Sequence, residues 1–219
     1  MNIEIMFDKL KLLKMHGYVP DAVFDIGAYH GNWTRSMKQI YDNSEYFLFE
    51  AIDYNELKSF TNVFNVVLSD KNEYRDWYEM KNTGDSLFRE KTKWFSNCEV
   101  KKRETITLDT IIEANKDYFD KYSNLFIKID CQGAEIPILK GATSILHKTD
   151  FIVLEVPLFG TYNQDVPSFK DHIVFMESIG FIPYDFLENH YIGGFNMQID
   201  ILFIKKTHDF AKLVNEQLL

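Results

Sequence analysis

Residues 22–31 read Ala22-Val23-Phe24-Asp25-Ile26-Gly27-Ala28-Tyr29-His30-Gly31. The first five form a short apolar run closed at once by a glycine. Such a run predicts a strand covered on both faces, as in a parallel sheet. Gly27 permits a tight turn with φ > 0, and Gly31 lets the next helix approach its neighbours closely. That helix is expected over Asn32–Tyr41, where Trp33, Met37 and Ile40 recur at helical spacing. Tyr46–Phe49, ending in Glu50, and Val63–Leu68, ending in Ser69-Asp70, predict the second and third strands.

The same pattern resumes at Leu125-Phe126-Ile127-Lys128-Ile129-Asp130. Glu135–Leu146 follows as a helix, with Pro137 tolerated in its first turn. Phe151–Glu155 predicts a fifth strand. A helix capped by Asp165 then carries Phe169, Ile173, Met176 and Ile179 on one face and stops at Gly180. Phe181–Phe186 and Ile199–Lys205 are joined without a crossover helix, so they pair antiparallel at one sheet edge. Upstream, Ile3, Met6, Leu10 and Leu13 predict an amphipathic helix within residues 1–17, and Asp209–Leu218 predicts a final short one. Residues 71–107 mix Tyr74, Trp77, Tyr78, Trp94 and Phe95 with many charges and predict an inserted hairpin or lid-like segment. The expectation is one domain over residues 1–219, with about seven strands, five of them parallel.

The 219 residues are 46% hydrophobic and 26% charged, a globular balance with enough apolar matter for a sizeable core. Lys and Arg total 24 against 33 Asp and Glu, a net charge of −9. That sign disfavours nucleic acid and anionic membranes as partners, and the basic run Lys101-Lys102-Arg103 is too short to reverse it. Cys98 and Cys131 allow one disulfide at most and no metal cluster; both read as reduced thiols. No apolar stretch approaches the roughly 20 residues of a membrane span, and the N-terminus lacks a secretion signal, so a cytoplasmic location is the default. An aromatic content of 16% suits a homo-oligomer interface as readily as a deep pocket.

Asp25, Glu50, Asp70, Asp130 and Glu155 fall at or just past the ends of the five inner strands. In an open parallel sheet, ligands bind at that edge. The first loop lacks the middle glycine of a dinucleotide fingerprint, because Tyr29 stands there, and no Gly-Lys-Ser/Thr phosphate loop follows. Glu50, 23 residues after Gly27, stands where an acid reaches the ribose hydroxyls of an adenosine cofactor.

The chain resembles the FkbM-type methyltransferases of the S-adenosylmethionine-dependent class. Phe24-Asp25-Ile26-Gly27-Ala28 with Gly31, Phe49-Glu50, Leu108-Asp109 and Val153-Leu154-Glu155 carry part of the likeness. Its most specific part is Ile127-Lys128-Ile129-Asp130-Cys131-Gln132-Gly133-Ala134-Glu135, followed by Leu139-Lys140-Gly141-Ala142. The resemblance implies an α/β fold of class I, Rossmann-like, with helices on both faces of a seven-stranded mostly parallel sheet. Its strand order would be 3-2-1-4-5-7-6, with strand 7 antiparallel. The cofactor S-adenosyl-L-methionine would meet Asp25, Gly27, Ala28, Gly31, Glu50 and Asp70. Family members are associated with O-methylation of sugar or natural-product hydroxyls, which implies a saccharide or related small-molecule acceptor.

An alcohol acceptor needs a base, or a metal that makes its hydroxyl more acidic. Asp130 is the leading candidate base, with Glu155 and His30 as alternatives. A structural role for Asp130, accepting N–H groups of the 131–135 turn, stands beside that reading. Asp130, Glu155 and His190 are an alternative set for Mg²⁺, although histidine suits so hard a cation poorly. Trp77, Trp94, Phe95, Phe159 and Tyr162 either line an acceptor cleft or close a small core. A nicotinamide-dependent oxidoreductase and a cofactor-binding protein without turnover remain as rival function classes.

Overall fold

The structure is a computed structural model that describes residues 3–158 and 163–212. Its centre is a seven-stranded sheet of β1 (Ala22–Ile26), β2 (Glu45–Glu50), β3 (Val63–Asn65), β7 (Leu125–Ile129), β8 (Thr149–Pro157), β9 (Phe181–Ile192) and β10 (Phe195–Lys205). The spatial order is β3-β2-β1-β7-β8-β10-β9. This is the expected 3-2-1-4-5-7-6 sequence of core strands. All neighbouring strands from β3 to β8 are parallel, and β10 runs antiparallel to both β8 and β9.

Strands β1 and β7 are buried at every position, as a sheet covered on both sides requires. One cover consists of α1 (Ile3–Met15) and α2 (Asn32–Ile40), whose Met6, Leu10, Leu13, Met37 and Ile40 pack against Val23, Leu48 and Phe126. The opposite cover includes α3 (Leu108–Ala114), α5 (Glu135–Lys140) and α7 (Phe169–Ser178), packed on Phe24, Phe49, Ile127 and Leu154. Alternate residues of each strand therefore feed two separate cores.

The third strand differs from expectation. Val63–Leu68 is divided between β3 and β4 (Val67–Leu68), and β4 leaves the main sheet. It pairs with β6 (Glu99–Ile106), which also pairs antiparallel with β5 (Glu73–Glu79), so residues 71–107 hold two regular strands of a second sheet. The helix expected over 135–146 is broken into α5 and α6 (Thr143–Leu146). A Cβ at Gly141 would stand 2.3 Å from the Ser69 carbonyl oxygen, so the chain passes too close there for a continuous helix bearing a side chain. Helix α7 is capped by Ser168 rather than Asp165; the Ser168 and Asp171 side chains bond each other's backbone in a capping box. Residues 209–212 begin a helical turn, and the remainder of the expected tail helix, to Leu218, lies outside the described residues.

Candidate active site

A cavity of about 830 Å³ opens at the carboxyl ends of the parallel strands. Ligand sites span about 300–1,000 Å³, so this one has room for two small molecules side by side. Gly27 and Glu50 line one end, and Asp130, Gln132 and Glu155 line the floor beyond them. The second sheet contributes Trp77, with Asp85 and Trp94 from the segment between β5 and β6; the β9–β10 hairpin contributes His190 and Tyr191.

The first loop and the end of β2 form one hydrogen-bonded unit. Gly27 N and Ala28 N donate to the Phe49 carbonyl at 2.9 and 3.2 Å. Tyr29 N donates to Glu50 Oε2 at 2.7 Å, and Ile52 N to Glu50 Oε1 at 3.0 Å. Each carboxylate oxygen keeps acceptor capacity for a hydroxyl in the cavity. Burial nevertheless holds the Glu50 carboxyl above its ordinary range. Gly27 has φ 75°, and a Cβ there would lie 2.0 Å from the Asp130 carbonyl oxygen. The loop thus offers a close-packed cradle without a side chain, beside an acid fixed by its backbone. Both features suit the ribose and amino-acid portions of an adenosine cofactor.

Asp25 is fully buried beneath this loop. It accepts from Thr34 Oγ1 at 2.5 Å and pairs with Lys128 Nζ at 3.3 Å. Burial raises its carboxyl above the usual range, against the pull of Lys128 and Thr34. Ala28 is buried and does not line the cavity. Gly31, with φ 76°, caps α2, and a Cβ there would meet the Phe60 ring at 2.6 Å. Its glycine answers to packing. Asp70 lies outside the lining, bonded by Ser69 Oγ at 3.1 Å and paired with Arg75 at 3.8 Å. Val67 and Leu68 of β4 line the cavity, but Ser69 and Asp70, which follow it into the second sheet, do not. His30 is also outside: its Nδ1 stands 3.1 Å from Glu56 Oε2, and its ring lies against Tyr54.

The turn after β7 orders the floor. Glu135, buried, accepts from Cys131 N at 2.9 Å and Gly133 N at 3.2 Å. Glu135 therefore performs the turn-capping role considered for Asp130. The Asp130 carboxylate is left facing the cavity, 3.4 Å from Lys128 Nζ. Gln132 Nε2 donates to Asp130 Oδ1 at 3.2 Å and to Glu155 Oε2 at 2.8 Å, so one amide ties both candidate bases. Gln132 has φ 53°, a conformation that costs an L-residue about 1–2 kcal/mol and is here enforced by the turn.

Glu155 is not at a strand end; it stands two residues inside β8 and pairs with Asp200 of β10. Burial first, then the charges of Asp130 and Asp200, push its carboxyl well above the usual range. Gln198 Nε2 donates to it at 3.0 Å. His190 Nε2 lies 3.4 Å from Asp200 Oδ1 and 4.0 Å from Glu155 Oε1. Burial lowers the imidazole's proton affinity, but Asp200 outweighs it and the net shift is upward. Glu155, His190 and Asp200 each offer a ligand atom within 4.8 Å of one another, a trio that excludes Asp130.

Sequence reasoning missed Asp200 and the joining role of Gln132, and assigned no core role to Lys128. A lysine inside an otherwise apolar strand was the available signal for the last, because burial of an ammonium demands acid partners. Burial also raises the Cys131 thiol, away from thiolate chemistry. Phe159 and Tyr162 lie outside the described residues; Trp77, Trp94 and Phe95 do line the cavity.

Residues 25–183 match the Methyltransferase FkbM domain. No curated protein matches the chain. Among solved structures, methyltransferase FkbM from Methylobacillus flagellatus KT aligns over 83% of this chain at 14% identity, with a TM-score of 0.47. The chain spans 43% of that protein's length. The 1,6-didemethyltoxoflavin-N1-methyltransferase of Burkholderia thailandensis, with S-adenosylhomocysteine bound, aligns over 93% of this chain and 79% of its own at 10% identity and a TM-score of 0.50. Magnesium protoporphyrin IX methyltransferase of Synechocystis PCC 6803 aligns over 91% and 77% at 7% identity, also with a TM-score of 0.50. At such identities the likeness is one of fold, that of the class I methyltransferases.

Proposed function

This chain belongs to the FkbM methyltransferase family, and from that premise we propose that it methylates a hydroxyl of a saccharide or related small molecule, using S-adenosylmethionine. The observation that carries the reading is the meeting in one cavity of the Gly27–Glu50 cradle with the Asp130–Gln132–Glu155 floor.

When bound, S-adenosylmethionine supplies an electrophilic methyl group on a sulfonium sulfur. Gly27 and Glu50 would hold it, with Asp25 stiffening the loop from below through Thr34 and Lys128. Asp130 is placed to accept the proton of the acceptor hydroxyl. Lys128 Nζ stands 3.4 Å from the Asp130 carboxylate, and Gln132 fixes its direction. Glu155, tied to Asp130 through the Gln132 amide, hydrogen-bonds a neighbouring acceptor group and so orients the nucleophile. His30 has no part in this, since its ring turns toward Glu56.

Calorimetry with S-adenosylmethionine, S-adenosylhomocysteine and NAD tests the cofactor, and mass spectrometry of an acceptor panel tests transfer. Binding of both adenosyl compounds but not NAD is expected, with a product heavier by one methylene. Asp130→Asn should reduce turnover by about 10²–10⁴-fold, the usual worth of a positioned base, while cofactor affinity stays within about threefold. Wild-type turnover in that variant would remove Asp130 as the base, and heat of binding with NAD alone would overturn the whole reading.

A further inference from the structure

The wall beyond the cofactor cradle has a one-sided charge. Glu155 of β8 lies opposite Asp200 of β10, and Asp200 lies opposite Glu188 of β9. Asp130 follows Ile129, whose partner on β8 immediately precedes Glu155. Four carboxyl groups thus occupy successive positions from the end of β7 across β8, β10 and β9; Asp130 and Glu155 line the cavity, and Asp200 and Glu188 stand behind them, outside the lining. Like charges placed directly opposite one another are destabilising, so this row works against the sheet that carries it. Burial raises the carboxyls of Glu155, Asp200 and Glu188; neighbouring acids of the row add to the rise, and His190 opposes it at Asp200 and Glu188. Asp85 and Glu90 line the facing side of the cavity.

No lysine or arginine belongs to the described lining. The cations nearby are engaged elsewhere. Lys128 serves Asp25, Asp130 and the Gly27 carbonyl; Arg103 donates to the Ala51 carbonyl at 2.8 Å and lies over the Trp77 ring. His190, itself in the lining, has its ring 3.4 Å from Asp200 and 4.0 Å from Glu155, so it is taken up by the row. What remains for an acceptor is carboxyl groups, amides from Asn82, Gln132 and Asn189, and two aromatic faces, Trp94 and Tyr191, each more than half exposed.

A phosphate or carboxylate placed here would lose its hydration without gaining an ion pair, whereas sites that take such groups supply arginine or lysine. Hydroxyls and ammonium groups find the opposite: acceptors for their protons and rings for their C–H or cationic faces. Resting on the methyl-transfer reading above, we propose that the acceptor carries no anionic group. It is a neutral or amine-bearing polyol, such as a glycoside or amino sugar, and not a sugar phosphate or nucleotide sugar.

The test is a set of matched compounds titrated into the full chain loaded with S-adenosylhomocysteine. Methyl glycosides of the common hexoses, their amino-sugar counterparts, and the corresponding phosphates and nucleotide sugars are compared pairwise by tryptophan emission. Trp94→Phe serves as the control that the signal arises at the cavity mouth. Each neutral or amine-bearing member that binds should do so at least tenfold more tightly than its phosphate. Asn189→Lys should narrow or invert that ratio. Equal or tighter binding of the anionic members overturns the proposal, and so does binding by no neutral or amine-bearing member. A chain that binds S-adenosylhomocysteine yet prefers anions fails this proposal alone. A chain that binds no adenosyl compound fails the methyl-transfer reading, while the pairwise ratios, measured without it, still decide the charge rule.

Discussion

The backbone at Gly27 leaves no space for a single added carbon, with the Asp130 carbonyl oxygen 2.0 Å from where it would sit. Gly27→Ala combines that overlap with a left-handed φ, so it should cost about 2–4 kcal/mol of stability. Thermal unfolding checks this, and S-adenosylhomocysteine affinity should fall with it because the loop carries the N–H that fixes Glu50. At Glu155 the effect has the other sign. Its carboxyl is shifted upward, so the native state holds more protons than the unfolded one, and stability falls as pH rises from the usual carboxylate range toward the raised value. Glu155→Gln keeps an oxygen for Gln132 and Gln198 and removes the titration. The variant should match wild type below about pH 4 and be the more stable protein at neutral pH, as urea melts at the two pH values will show. Gly27 and Glu50 were legible in the sequence because a turn glycine and a strand-end acid leave local marks. Gly31, Asp70 and His30 carry the same marks, yet Phe60, Arg75 and Glu56 claim them, and those partners follow from chain paths that no local pattern encodes.

At the scale of elements, the parallel core was readable because strands covered on both faces are predominantly apolar, and β1, β2, β7 and β8 are so apart from Asp25, Lys128, Glu155 and their end residues. For the second sheet the sequence predicts only a hairpin or lid-like segment within 71–107, since β5 (EYRDWYE) and β6 (EVKKRETI) are mostly charged, with neither an apolar run nor an alternation, against a small core of Val67, Trp77 and Leu87. The segment joining them is fastened to the floor of the cavity at one place. Ser86 Oγ stands 3.1 and 3.0 Å from the Cys131 and Gln132 carbonyls and accepts from Phe88 N. Ser86→Ala removes that fastening, a loss of about 1–2 kcal/mol. Hydrogen exchange of residues 80–98 should then quicken about tenfold, with protection in α1 and α2 unchanged; equal rates in both proteins would show that the segment is held by packing alone.

For the molecule as a whole, the net charge is −9, and the described cavity lining holds Glu50, Asp85, Glu90, Asp130 and Glu155 without a lysine or arginine. S-adenosylmethionine carries one net positive charge and S-adenosylhomocysteine none, so the acid-lined cavity should distinguish them by salt. Raising NaCl from low to high concentration should weaken the former by about two- to fivefold and leave the latter nearly constant, because screening acts on the charge that differs. Calorimetry at two ionic strengths measures both. One further property follows from the way β4 departs from the main sheet. The cradle is complete by Glu50, whereas the opposing walls are two excursions, residues 71–107 and the β9–β10 hairpin, each returning to the sheet near where it left. Changes of length at the tips of these walls, between β5 and β6 and at the β9–β10 turn, would leave the Gly27–Glu50 end of the cavity as it is.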